Sequence, residues 1–259
     1  MPKQIFACQI THRNDWNTIK TSILQRMEKH ISIPRLLLLD ASFSTGYVAL
    51  GEGEKLVDYR INEKQNDQAS VMHPAIAELM QQQGWKWNDL SAVAVINGPG
   101  SYTGLRVALS AAKGICFATG LPLITISTLK TMAGAIRIAS PEPARSNILP
   151  LIDARRMEVF AALYNQELDL LEPESAKILD KTSPESFIGP VRIGGNGMQK
   201  FLSLATKPEN FLPVNYSHTD YLQAALVHSV NRACIHDFDD PTFIEPAYGK
   251  AFFDNRQNK

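Results

Sequence analysis

The sequence predicts an α/β protein of two related lobes, each built on a mixed sheet flanked by helices. Three observations predict it. The apolar, β-branched run Ala92–Ile96 breaks at Asn97-Gly98-Pro99-Gly100 and passes into the helix-favouring stretch Leu105–Ala112, which reads as buried strand, glycine turn and buried helix. Arg35–Leu50, RLLLLDASFSTGYVAL, reads as a strand, a polar turn at Asp40-Ala41-Ser42 and a returning strand. Ile148–Leu163 repeats that plan: laid against Leu36–Leu50, Asp153 falls on Asp40, Ala154 on Ala41, Ala162 on Ala49 and Leu163 on Leu50.

Composition narrows the classes. With 259 residues there is room for one large or two modest domains, and 44% hydrophobic residues supply a core. Lys+Arg and Asp+Glu balance at 26 each, which excludes a global attraction to nucleic acid and leaves only a local patch, for which Arg137, Arg145, Arg155 and Arg156 are the candidates. Cys8, Cys116 and Cys234 lie far apart with no CxxC, as in a reducing compartment. No apolar run approaches the roughly 20 residues of a membrane span. The apolar part of MPKQIFACQI is too short for a secretory signal. A soluble cytoplasmic protein without a membrane partner is expected.

In chain order, residues 1–34 stand apart as an N-terminal extension. Trp16, Ile19, Ile23 and Met27 fall at helical spacing and Pro34 stops the pattern; the segment is either a partner-binding arm or an upstream extension of a chain that starts at Met27. Residues 35–140 form the first lobe: the hairpin, a third strand over Lys55–Ile61, and a helix over Asn66–Gln83 with Val71, Ala75, Ile76, Leu79 and Met80 on one stripe. The strand–turn–helix follows, then a parallel strand at Leu123–Ile126 and a helix from Ser127 or Thr128 to Ile138. Ser140-Pro141-Glu142-Pro143 marks the boundary. Residues 147–259 form the second, more variable lobe, with strands at Ala176–Leu179, Val191–Ile193 and Phe211–Val214 and a final helix over His218–Cys234.

No two of the six histidines stand four apart, so HExxH and HxxxH are absent, and neither a metal site nor a catalytic residue is assigned. The phosphate-turn-like positions are Asp40, Ser42, Gly98, Gly100, Thr103, Gly104, Asp153, Gly194 and Gly195. Each has two readings. A glycine turn at a helix start can hold an anion on free N–H groups, or can merely let a helix pack tightly on a sheet. Asp40 and Asp153 can orient a metal and a water, or can hydrogen-bond their own turn amides. The bulk of Arg155-Arg156-Met157 crowds the second turn against phosphate.

Two lobes that open with the same hairpin, each with an aspartate at its turn, resemble the actin-like ATPase (ASKHA, ribonuclease H-like) fold. Together, the DAS turn, Asn97–Arg106 as NGPGSYTGLR, Ala111-Ala112-Lys113-Gly114, the strand–Ser127 junction and Ile152-Asp153-Ala154-Arg155 resemble the TsaB (YeaZ) group of the glycoprotease-like, TsaD/Kae-type family. The match covers roughly 35–163, and beyond it only the glycine turn and Glu245-Pro246-Ala247-Tyr248 resemble the group. Ala41 stands where Thr is usual and Tyr102 where Phe is usual.

The resemblance implies a non-catalytic partner of the transferase TsaD in forming threonylcarbamoyladenosine at adenosine 37 of tRNAs reading ANN codons. It implies a TsaE-type ATPase as a further partner, tRNA reached through the complex, and homodimers through a similar surface. No cofactor of its own is expected; ATP and a metal belong to the partner subunits, with TsaD carrying HxxxH. The partner interface is expected on first-lobe helices, at Val71, Ile76, Leu79, Met80, Leu105 and Leu109. The alternative is an active ATP-binding phosphotransferase using Asp40 and Asp153.

Overall fold

The computed structural model describes residues 33–64, 67–141, 146–187 and 189–249. The readings made for residues 1–32 and for Arg145 lie outside them. Strands β1 (Arg35–Asp40), β2 (Gly46–Glu52) and β3 (Lys55–Asn62) form an antiparallel meander, followed by helix α1 (Gln68–Gln82). Then come β4 (Ala92–Gly98), α2 (Tyr102–Thr119), β5 (Leu123–Ser127) and α3 (Thr128–Ala139). The second half runs β6 (Asn147–Asp153), β7 (Glu158–Tyr164), β8 (Leu170–Ile178), β9 (Val191–Gly194), α4 (Met198–Leu202), β10 (Phe211–Pro213) and α5 (His218–Cys234).

The two sheets share one topology. The first has the order β3-β2-β1-β4-β5 and the second β8-β7-β6-β9-β10. In each, the first three strands are antiparallel, and the last two join the first strand in parallel. The repeat visible in the two hairpins therefore extends over five strands, the duplicated plan of the actin-like ATPase fold. The hairpins differ in one respect. Asp40 stands opposite Tyr47 across residues 41–46, whereas Asp153 stands opposite Val159 across the one-residue-shorter 154–158.

Burial on both faces explains the unbroken apolar strands. Leu36 and Leu38 face one cluster and Leu37 and Leu39 another, all fully buried. One face of the first sheet is covered by α1 and α2. Its other face shares a continuous core with the second sheet, filled by α3 and α5 between them. The second sheet's far face is covered by α4 and neighbouring turns.

Helix α5 and the tail, read from the sequence as second-lobe elements, pack on the first sheet as well. Leu226 lies against Gly51 of β2, Asp239 bridges to Leu123 of β5, and the Ala247 N–H donates to the Asn97 carbonyl at 2.8 Å. Tyr221, Leu222, Ala225 and Leu226 form an apolar face buried in the core shared by the two sheets and α3.

Capping sets the helix ends. Ser101 Oγ accepts from the Gly104 N–H at 3.3 Å, and Gly120 closes α2 in the left-handed region at φ 73°. Ser217 and Asp220 form a capping box at the start of α5. No helix among the described residues is long and apolar enough to cross a membrane.

Candidate functional site

The structure offers two places for function: a cleft between the sheets and a groove on the outer helices. The cleft, about 770 Å³, is bordered by Ser42–Ser44, by Gly100–Gly104 at the start of α2, by Asp153–Arg155 and by Asn196.

At the first turn, Asp40 is fully buried. Its Oδ1 accepts from the Ser42 N–H at 2.7 Å and its Oδ2 from the Tyr221 hydroxyl at 3.0 Å. Burial pushes the Asp40 carboxyl up to about 6, with the hydrogen bonds from Ser42 and Tyr221 pulling the other way. The start of α2 presses on this turn: the Ser101 N–H donates to the Ser42 carbonyl at 2.7 Å. A Cβ at Gly104 would lie 1.8 Å from the Ala41 carbonyl oxygen, so only glycine admits this approach. A Cβ at Gly100 would lie 2.4 Å from the Ser42 carbonyl oxygen, and Gly98 sits behind the turn under the Ala247 carbonyl. Ser42 Oγ, at the cleft wall, is buried without a hydrogen-bond partner.

At the second turn Asp153 is exposed and ion-paired with Lys200. Its Oδ1 also accepts from the Arg155 N–H at 2.8 Å, and Asn196 Oδ1 accepts from the Asp153 N–H at 2.8 Å. The Lys200 ammonium holds its carboxyl below the usual range. Arg155 and Arg156 take left-handed backbone at φ 67° and 49°, a conformation that costs a β-carbon residue on the order of 1 kcal/mol.

The cleft thus gathers Ser42, Gly100, Thr103, Gly104 and Asp153. Asp40 lies beneath its wall, under Tyr221. Gly194 and Gly195 are turned from it and receive Ile136 and Met132 of α3, leaving Asn196 as the part of that turn at the cleft. Gly98, Gly100, Gly104, Gly194 and Gly195 each lie in close approach to a neighbouring residue.

Sequence reasoning missed the aromatic cluster over Asp40. The Tyr47 hydroxyl and His218 Nδ1 stand 2.6 Å apart, and Tyr216 stacks at 6.3 Å from Tyr221. These partners are separated by up to 171 residues, so no local spacing could reveal them.

The groove, about 780 Å³, lies between α1 and α2, with Met72, Trp87, Val107, Ser110, Gly114 and Ala118 among its lining. Ile76, Leu79, Met80, Leu105 and Leu109, expected at a partner interface, are buried in the chain's own core instead. Val71 is exposed but does not line the groove. The reason is that an amphipathic helix spends its strongest apolar stripe on its own sheet, so an outer face is built from what remains. Among the described residues, no three His, Cys, Asp or Glu side chains form a group that could hold a metal ion.

The family model for TsaD, described as tRNA N6-adenosine threonylcarbamoyltransferase, matches residues 63–231. The tRNA threonylcarbamoyladenosine biosynthesis protein TsaB of Bacillus subtilis is 33% identical over 138 residues, 53% of this chain and 58% of that protein. Its namesake in Haemophilus influenzae is 39% identical over 127 residues, 48% of this chain and 51% of that protein. The matches span little more than half the length of these relatives. YeaZ from Pseudomonas aeruginosa shares the fold at a TM-score of 0.66 and 20% identity, over 83% of this chain and 99% of that one. The chain belongs to the TsaD family, and its resemblance within that family is to TsaB (YeaZ).

Proposed function

We propose that the chain takes part in forming threonylcarbamoyladenosine at adenosine 37 of tRNAs reading ANN codons, as the non-catalytic partner of a TsaD-type transferase. The observation that carries this reading is the groove. On a chain whose relatives are named for this biosynthesis, an open trough with an apolar lining lies between α1 and α2. Exposed apolar surface of this kind marks protein contact sites. Ser110, Gly114 and Ala118 are exposed along it, four residues apart on one face of α2, and admit a close approach.

The cleft chemistry supports the non-catalytic role. Asp40 is buried under Tyr221 and Asp153 is held by Lys200, so both carboxylates are already engaged. No two histidines stand four apart, whereas the resemblance assigns HxxxH to the transferase. On this reading ATP and metal reside in the partner subunits, a TsaE-type ATPase joins the pair, and tRNA is reached through the complex. A homodimer through the same face competes with the transferase.

Gly114→Glu tests the proposal. A Cβ at Gly114 meets nothing within 4 Å, so the variant folds while placing a charge in the groove. Binding to a TsaD-type transferase, measured by titration calorimetry, is expected to be lost; unchanged affinity would sink the reading. A charge at Leu79 would not serve, because Leu79 is core.

One observation favours the phosphotransferase alternative: the cleft of about 770 Å³ holds both turns and the unpartnered Ser42 Oγ. Micromolar, Mg²⁺-dependent ATP binding by the isolated chain would select it.

A further inference from the structure

The stretch that follows α5 brings Tyr248 against residues that line the groove. Beyond α5 the Asp239 carboxylate accepts from the Thr125 N–H at 2.6 Å and from Arg232 at 3.1 Å. Lys113 Nζ donates to the Ile244 carbonyl at 2.9 Å. Asn97 Nδ2 donates to the Glu245 carbonyl at 2.9 Å, next to the Ala247–Asn97 backbone bond. These bonds fix where Tyr248 lies. Its ring stacks on Tyr102 with centroids 4.8 Å apart and planes 29° apart. Its hydroxyl accepts from Arg106 Nε at 2.7 Å, and the Arg106 guanidinium lies 4.1 Å over the Tyr102 ring.

Tyr102 and Arg106 both line the groove, and both are exposed. Among the described residues no carboxylate pairs with Arg106. A free surface arginine gives up rotamer entropy when a partner immobilises it. This one is already braced between two tyrosines, with guanidinium edges left for an acceptor. Tyrosine and arginine are also among the residue types in which binding energy concentrates at protein contacts.

Resting on the docking reading above, we infer that Tyr102, Arg106 and Tyr248 form a pre-ordered anchor for an acidic side chain of the protein that occupies the groove. Arg106 supplies the charge. Tyr248 is a positioning residue, delivered by the tail from 142 residues away in sequence. The anchor accounts for two motifs at once: the NGPGSYTGLR block carries Tyr102 and Arg106, and the Glu245-Pro246-Ala247-Tyr248 segment brings the brace.

The test is binding to the TsaD-type transferase at several salt concentrations, with the full chain and its variants. Arg106→Met is expected to weaken binding by about 30-fold and to flatten its dependence on salt, because a charge pair is lost. Tyr248→Ala is expected to weaken it by about ten-fold at an unchanged melting temperature, while Tyr248→Phe, which keeps the stack, stays within about three-fold. Wild-type affinity and salt dependence in Arg106→Met, or wild-type affinity in Tyr248→Ala, overturns the anchor. If Gly114→Glu abolishes binding in the same series while Arg106→Met does not alter it, the anchor fails and the docking reading stands. If Gly114→Glu binds normally, or the wild-type chain does not bind, both fall.

Discussion

The Tyr221 hydroxyl donates to Asp40 Oδ2 at 3.0 Å, joining the last helix to the first turn across 181 residues. This bond engages the carboxylate that an actin-like turn would present to its cleft. It also leaves a carboxyl buried among tyrosines, and that has a measurable effect on stability.

With Asp40 raised from 3.8 to about 6 by burial, the folded state binds more protons than the unfolded chain between those values. Its contribution to stability is therefore fully present below pH 3.8 and is lost as pH rises through 6, by about 3 kcal/mol in all. Asp40→Asn removes this dependence. Relative to the native chain, the variant should gain stability as pH rises from 4 to 7 in urea titrations; parallel pH profiles would refute the assignment.

His228 works in the opposite sense. Burial, with the Lys130 charge adding to it, pulls its pKa from 6.5 down to about 4, and its Nε2 has no hydrogen-bond partner. The folded state binds fewer protons between those values. Stability is unaffected by His228 above pH 6.5 and falls as pH drops toward 4, by about 3 kcal/mol. His228→Leu should resist acid better than the native chain. The Asp40 and His228 windows overlap with opposite signs, so each single variant exposes the other group. An acid limb unchanged in His228→Leu would refute the assignment.

Two glycines of α2 should respond in opposite directions to alanine. At Gly104 the new Cβ meets the Ala41 carbonyl at 1.8 Å, a backbone clash expected to cost at least about 3 kcal/mol. At Gly114 it meets nothing within 4 Å, and alanine should stabilise the helix by about 0.5–1 kcal/mol. Thermal melting of both variants checks this. Similar shifts in the two would mean that the start of α2 is not packed on the turn.

Elements whose burial is written locally were legible in the sequence. Leu36–Leu39 and Ala92–Ile96 are apolar without a break because both their faces are covered, and the repeated strand, Asp-Ala turn and strand announced two lobes of one plan. Helix α5 was legible from His218 to Cys234 because its apolar stripe lies within its own residues. The strand Leu170–Ile178 was legible only at its end: it is an edge strand with most residues exposed, so no alternation marks it.

The remaining features depend on which residues the folded chain brings together. Whether an apolar stripe faces a partner or the chain's own sheet depends on what lies opposite, so Leu79 and Leu105 proved to be core and the outer groove is lined instead by Val107, Ser110 and Gly114. Whether a glycine turn holds a ligand or a neighbour depends on what approaches it: Ile136 and Met132 at Gly194 and Gly195, and Ala41 at Gly104. The partners of Asp40, Arg106 and His218 come from more than a hundred residues away. Local pattern encodes which residues leave water; only the folded chain determines which of them meet.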